Sequence, residues 1–343
     1  MMKFHSEPNL SLDKQNKIGV LLLILGTPTA PTARAVRPFL REFLSDHRVI
    51  DAPKLFWLPL LYGVILPFRS PKSAKNYQKV WQTDGSPILI YTRQQLEGLR
   101  KKLPENIMLS VAMTYGKPSV ENAMMELKNQ GVGRLLVLPL FPQYASSCTG
   151  AALDKVWQQM AKQFNQMSLR TISRFYNHPA YVQAAANHIR QFREQNGAAQ
   201  KLLFSFHSIP FQHKQQGDPY QDECYASAQL IAQSLGLNEQ DYLVGFQSRF
   251  GRAKWLEPST QTLLDTLPEQ GITTLDVFCP GFVADCLETL EEIAITGKQQ
   301  FLDAGGKQFH YIPCLNANSE WINALAELVL TNIQDWLPSK DAA

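Results

Sequence analysis

LLFSFHSIP, residues 202–210, is the stretch on which the fold turns. LLFSF is a short apolar run with strand character, His207 closes it, and Ser208 and Pro210 then turn the chain. Such a run, apolar on both faces and polar only at its end, suits a strand covered by helices on either side. Seven other runs share its character, over 18–25, 108–113, 134–140, 169–175, 242–247, 273–279 and 308–312. Helical patterns alternate with them, over 119–130, 151–166, 180–195, 220–235, 258–266 and 318–336. This alternation predicts an α/β protein with parallel sheets flanked by helices. Eight strands in two groups of four predict two similar Rossmann-like domains, each built on a four-stranded parallel sheet. The expected organisation is an N-terminal extension over 1–17, a first domain over 18–168 and a second over 169–336. In open sheets of this class, ligands bind beyond the carboxyl ends of the strands. The polar residues just past strand ends therefore carry most of the functional information.

The remaining properties of the chain mostly exclude. Its 343 residues favour two domains over one. A hydrophobic fraction of 45% with 18% charged residues is that of an ordinary globular protein, not a disordered one. The formal net charge of +3, without a Lys/Arg run, gives no support to a nucleic-acid partner. The N-terminal sequence lacks the apolar core of a secretory signal, which points to a cytoplasmic protein. Five cysteines, at 148, 224, 279, 286 and 314, form no C-x-x-C pair and predict neither a disulfide framework nor a cysteine-based zinc site. No G-x-G-x-x-G follows the first strand, so a nucleotide cofactor has little support.

One apolar segment stands apart. Leu55 to Phe68, LFWLPLLYGVILPF, is uncharged, too short to span a membrane and interrupted by Pro59 and Pro67. Taken alone, it is equally a buried segment, a lid over a flat hydrophobic ligand, or a face for a membrane surface.

His207 ends its strand towards the expected cleft, where a neutral imidazole can accept a proton or bind a borderline metal. A lone histidine is more often structural, so it needs a partner. PGFVADCLETLEEI, residues 280–293, supplies one: spacings of three and four place Asp285, Glu288 and Glu292 along one helical face, with Glu291 further round. A carboxylate stripe there can conduct a divalent cation or protons, although a solvated helix face has the same pattern. Glu288, flanked by Leu287 and Leu290, fits the solvated reading least.

FSFHSIP (204–210), GDPY (217–220), FQSRFG (246–251), KWLEP (254–258) and GFVADCLETLEEI (281–293) together resemble the ferrochelatase family, in order and at fitting intervals. The N-terminal half agrees through LGTPTAPT (25–32), FLREFLSD (39–46), GSPI (85–88), MTYGKPS (113–119), LPLFPQYASSCTG (138–150) and IPCLN (312–316). The resemblance covers residues 18 to 335 and implies a chelatase-type fold. It also implies a lyase that inserts Fe²⁺, as substrate, into protoporphyrin IX at the end of haem biosynthesis. His207 and Glu288 match the family's metal-binding and proton-removing pair. Tyr115 matches a porphyrin-facing tyrosine, and Trp255 an aromatic residue beside the macrocycle. Leu55 and Trp57 then fall on the family's apolar active-site lip, with Asp285 and Glu292 as secondary carboxylates. The lip would also allow peripheral contact with the inner membrane. No cofactor is expected to be held permanently, and the cysteines that carry a [2Fe–2S] cluster in some members are not matched here.

The chemistry suits these residue types. Metal insertion displaces two pyrrole N–H protons, and imidazole, whose ordinary pKa is about 6.5, is a fitting acceptor. Imidazole and carboxylate hold Fe²⁺ less tightly than a thiolate cluster would, so the ion can be handed on. Three departures stand against the family pattern: Cys286 stands where relatives often carry His, a minor variation, Thr114 replaces Arg before Tyr115, and Ile24 replaces Asn before L-G-T-P. The last two remove polarity from the expected cleft. They motivate two alternatives, a paralogue with altered tetrapyrrole or metal preference and a porphyrin-binding protein without turnover.

Overall fold

The computed structural model describes residues 4–5, 16–249, 251 and 253–338. The expected extension over 1–17 therefore lies mostly outside the described residues. Eight strands form two four-stranded parallel sheets. The first has the order β2-β1-β3-β4, from β1 (Lys17–Gly26), β2 (Ile107–Tyr115), β3 (Val132–Pro139) and β4 (Ser168–Thr171). The second repeats it as β6-β5-β7-β8, from β5 (Lys201–His207), β6 (Tyr242–Gln247), β7 (Thr274–Phe278) and β8 (Gln308–Tyr311). The central strands are buried on both faces, as the run Val20 to Leu23 in β1 and Leu202 to Phe206 in β5 show.

Twelve α-helices accompany the sheets among the described residues. In the first half they are α1 (Ala33–Leu44), α2 (Lys54–Leu60), α3 (Leu66–Val80), α4 (Pro87–Arg100), α5 (Val120–Asn129) and α6 (Ala151–Met160). The rest are α7 (Pro179–Asn196), α8 (Phe211–Gln215), α9 (Tyr220–Leu235), α10 (Thr260–Thr266), α11 (Lys298–Asp303) and α12 (Ser319–Ile333). The repeat extends to detail. After β2, the cis Lys117–Pro118 bond leads to Ser119, whose hydroxyl caps α5. After β6, the cis Glu257–Pro258 bond leads to Ser259, whose hydroxyl caps α10.

Two boundaries differ from those expected. β4 pairs with β3 from Arg134↔Ser168 to Val137↔Thr171, so the first domain runs through Thr171 rather than ending at 168. The apolar segment is also not interrupted by its prolines. Helix α2, a π turn over Leu61–Ile65 and α3 form one continuous helical run that contains Pro59, Pro67 and Pro71. Pro67 has no N–H to give the carbonyl of residue 63. The ladder widens just before it, and the Leu66 N–H bonds back to the Leu61 carbonyl instead. Among the described residues, no helix is long and apolar enough to cross a membrane.

The domains share one core. A single buried cluster joins Val20 and Leu136 of the first sheet to Phe204 and Phe278 of the second. Trp321 of α12 sits in it, fully buried, with ring centroids 5.8 Å from Phe175 and 6.0 Å from Tyr181. This shared core sets the carboxyl ends of β1 and β5 in fixed relation and so defines the cleft.

Candidate active site

His207 is the last residue of β5, paired in register with Gln247 of β6. Its Nδ1 lies 2.7 Å from the Ser208 carbonyl. A carbonyl can only accept, so Nδ1 carries the proton, and Nε2 of the neutral ring keeps its lone pair for a proton or a metal. Next to it, Gln247 is fully buried and acts as a strut. Its amide N–H donates to the Glu288 carbonyl at 3.0 Å, while its oxygen accepts from the Ser205 hydroxyl at 2.7 Å. The strand end that carries His207 is thereby tied to the first turn of the helix that carries Glu288.

That helix is a π-helix, Glu288–Gly297. Glu292 turns towards β6: it accepts from the Ser248 N–H at 2.7 Å, from the Ser248 hydroxyl and from the Gln261 amide at 2.8 Å. Burial raises its carboxyl pKa, against the Ser248 hydrogen bonds and the charge of His207, which lower it. Glu288 faces the first domain. Its charge acts on Arg69 and Tyr77 of α3 and on Cys148, as well as on neighbouring Cys286 and Glu292. Burial lowers the Arg69 guanidinium, and Glu288 works in the opposite direction. Burial pushes the Tyr77 hydroxyl well up, with Glu288 adding to the rise, and pushes the Cys148 thiol up to about 12. An imidazole, two carboxylates and a guanidinium between β5 and α3 thus act on one another through their charges.

Asp285 does not belong to that series. It precedes the π-helix, is buried, and accepts from the Tyr311 hydroxyl, from Asn316 at 2.6 Å and from the Cys314 N–H at 3.2 Å. Its oxygens are spent on fastening the segment before Glu288 to the end of β8. Glu291 is likewise structural, reaching Lys79 at 2.7 Å and Asn76 at 3.3 Å on α3. These contacts bridge the two domains.

Trp255 flanks the site. It bridges Pro210, three residues beyond His207, and the Phe211 N–H donates to the Lys254 carbonyl at 2.8 Å. Tyr115 is placed otherwise than expected, for no part of it is exposed. Its hydroxyl donates to Asp46 at 3.0 Å and its ring meets Phe43 edge-on, so it joins α1 to β2 inside the first domain. Leu55 is 80% exposed, whereas Trp57 turns inward and donates its indole N–H to the Leu44 carbonyl at 2.7 Å. Thr114 and Ile24, two of the departures from the family pattern, are also internal. Thr114 is buried and its hydroxyl donates to the Ile24 carbonyl at 3.2 Å, while the Ile24 side chain packs in the shared core. Neither residue removes polarity from an open cleft.

Sequence reasoning missed Arg69, Tyr77, Cys148 and Gln247. Gln247 and Cys148 lie within quoted motifs, FQSRFG and LPLFPQYASSCTG, but only the fold shows what they touch. Phe250, in the first of these, lies outside the described residues.

Comparison with known proteins bears on the fold and on the family. The chain resembles SirB from Bacillus subtilis, solved with Fe³⁺, with a TM-score of 0.56 and 12% identity over 93% of this chain and 97% of that one. It also resembles CbiX, described as the terminal enzyme of sirohaem biosynthesis in denitrifying bacteria, with a TM-score of 0.52 and 13% identity over 91% and 98% of the two chains. At these identities the likeness establishes the two-domain chelatase fold alone. Sequence relatives say more. Ferrochelatase of Neisseria gonorrhoeae is 54% identical over 336 residues, covering 98% of this chain and all of the relative. Ferrochelatase of Chromobacterium violaceum is 45% identical over 340 residues, covering 98% and 93%. With the ferrochelatase family model also matching residues 17–333, the chain belongs to the ferrochelatase family.

Proposed function

We propose that this protein inserts ferrous iron into protoporphyrin IX, releasing two protons and forming protohaem. The observation that carries this reading is the 2.7 Å approach of His207 Nδ1 to the Ser208 carbonyl. With Nδ1 committed to the Ser208 carbonyl, Nε2 faces its surroundings as an acceptor. A pyrrole proton can pass to that nitrogen. Glu292, whose pKa is raised by burial against the lowering charge of His207, is suited to take the proton onward. Glu288 stands on the other side of Glu292 and offers Fe²⁺ a hard oxygen donor, which with imidazole binds the ion without trapping it. Arg69 balances part of the negative charge that Glu288 places in the cleft. Fe²⁺ is substrate in this scheme, not a resident cofactor. The exposed lip, with Leu55 and Phe56 at 80% and 75% and Phe68 at 77%, offers a face to a bilayer from which a hydrophobic porphyrin can be drawn.

An anaerobic assay with Fe²⁺ and protoporphyrin IX tests the reading. His207→Ala and Glu288→Ala are each expected to lower kcat by about 10²–10⁴-fold, with porphyrin binding, followed by fluorescence quenching, largely kept. Tight porphyrin binding by the wild type without metal insertion would favour a binding protein that lacks turnover.

A further inference from the structure

Beside the lip, a pocket of about 560 Å³ opens between α1 and the run from the π turn to α3. None of its lining residues is one of those that compose the candidate active site. Arg34, Arg37 and Arg41 form one wall, three exposed guanidinium groups at i, i+3 and i+7 of α1 and so on one face. Tyr62, Leu66 and Pro67 form the opposite, apolar wall. No acidic residue lines the pocket, and none of the three arginines has an ion-pair partner among the described residues. Ser70 also contributes to the lining. It is 2% exposed, and its hydroxyl has no hydrogen-bond partner among the described residues. A buried hydroxyl left unpaired costs free energy unless something supplies the missing bond.

We infer that this pocket receives the phosphate headgroup of an anionic phospholipid while the neighbouring lip rests in the bilayer surface. The inference rests on the reading of the lip as a membrane face and adds to it the lipid class and the site. The wall of arginines supplies charge and forked N–H donors matched to phosphate oxygens. Ser70 supplies a further polar contact, and the apolar wall continues into Tyr62 and Val64, 46% and 50% exposed, and Phe68, which suit the glycerol and upper acyl region. A free phosphate would satisfy the arginines but would leave that apolar continuation without a partner. The net charge of the chain is only +3, so attraction to an anionic surface must come from a local concentration of this kind.

The test is co-sedimentation of the full chain with vesicles of phosphatidylcholine alone and with vesicles that also contain phosphatidylglycerol. The wild type is expected to prefer the anionic vesicles. The triple variant Arg34→Gln, Arg37→Gln, Arg41→Gln is expected to lose affinity for them by on the order of a hundredfold, while keeping its affinity for neutral vesicles and its chelatase activity with detergent-dispersed porphyrin. Phe56→Ser with Phe68→Ser, by contrast, is expected to weaken binding to both kinds of vesicle. If the triple variant sediments with anionic vesicles as the wild type does, the headgroup site is overturned although the lip reading stands. If the double Phe variant also binds as the wild type does, the lip reading falls as well. Saturable binding of inorganic phosphate that is lost in the triple variant, with no preference of the wild type for anionic over neutral vesicles, would overturn the lipid as occupant.

Discussion

Glu292 is held between two opposing influences. Burial raises its carboxyl pKa, and the bonds from Ser248 with the charge of His207 offset part of that rise. The folded chain therefore holds this proton more tightly than the unfolded chain does. The stability contributed in this way is fully present below the ordinary glutamate range, near about 4.3, and is lost as pH rises through the raised value. Glu292→Gln cannot lose it. Thermal melts of the iron-free proteins from about pH 4 upward should show the wild type falling steadily relative to the variant; a gap that stays constant across that range would refute the assignment. At this scale the sequence was informative about residue type and poor about direction. His207 and Glu288 were legible because each closes or follows an apolar strand. Asp285, Glu291 and Tyr115 were not, since a carboxylate facing a cleft and one turned onto Tyr311 or Lys79 have the same local sequence.

Among elements, the repeated unit of strand, proline, capping serine and helix makes a paired prediction. Ser119 and Ser259 hold equivalent places at the starts of α5 and α10, each accepting from the backbone N–H three residues on. Ser119→Ala and Ser259→Ala should each cost about 1 kcal/mol in chemical denaturation, and the two losses should be similar. A loss at only one of them would show that the halves are not equivalent in energy. The π-helix over Glu288–Gly297 is an element that the spacing did not reveal. Glu291, expected further round the helix, reaches Lys79 on α3, and Glu292 accepts from Ser248, while Asp285, expected on the face of Glu288 and Glu292, precedes the helix and is turned onto Tyr311. Motifs that read as separate signals also turn out to meet. Asp218 of GDPY accepts from the Ser146 N–H at 2.7 Å, and Asp46 of FLREFLSD accepts from Tyr115 of MTYG. Gly26 of LGTP, at φ 118°, lies where a Cβ would fall 1.8 Å from the Tyr115 carbonyl oxygen, so the turn after β1 requires glycine.

Taken as a whole, the described residues form two sheets joined by one buried cluster that spans both, and the molecule should unfold as one unit. Trp321 of α12 lies fully buried against Phe175 and Tyr181, in the buried cluster to which both sheets contribute residues. Trp321→Ala should cost about 3–5 kcal/mol and lower the midpoint of a single transition, with amide protection in β1 and β5 falling together. Separate transitions, or protection lost in one sheet alone, would contradict a shared core. The sequence by itself determined the α/β class, the eight strands, their grouping in fours, the ferrochelatase resemblance and the two residues, His207 and Glu288, now proposed to carry the chemistry. These follow from apolar periodicity and from motifs whose order survives without any knowledge of contacts. Tertiary structure alone decided that β4 completes the first sheet and that the lip stays helical through its prolines. It alone also decided that Thr114 and Ile24 lie in the interior and that Arg69, Tyr77, Cys148 and Gln247 surround or brace Glu288. Those outcomes depend on hydrogen bonds and burial between residues far apart in the chain, and local pattern carries no record of which distant groups will meet.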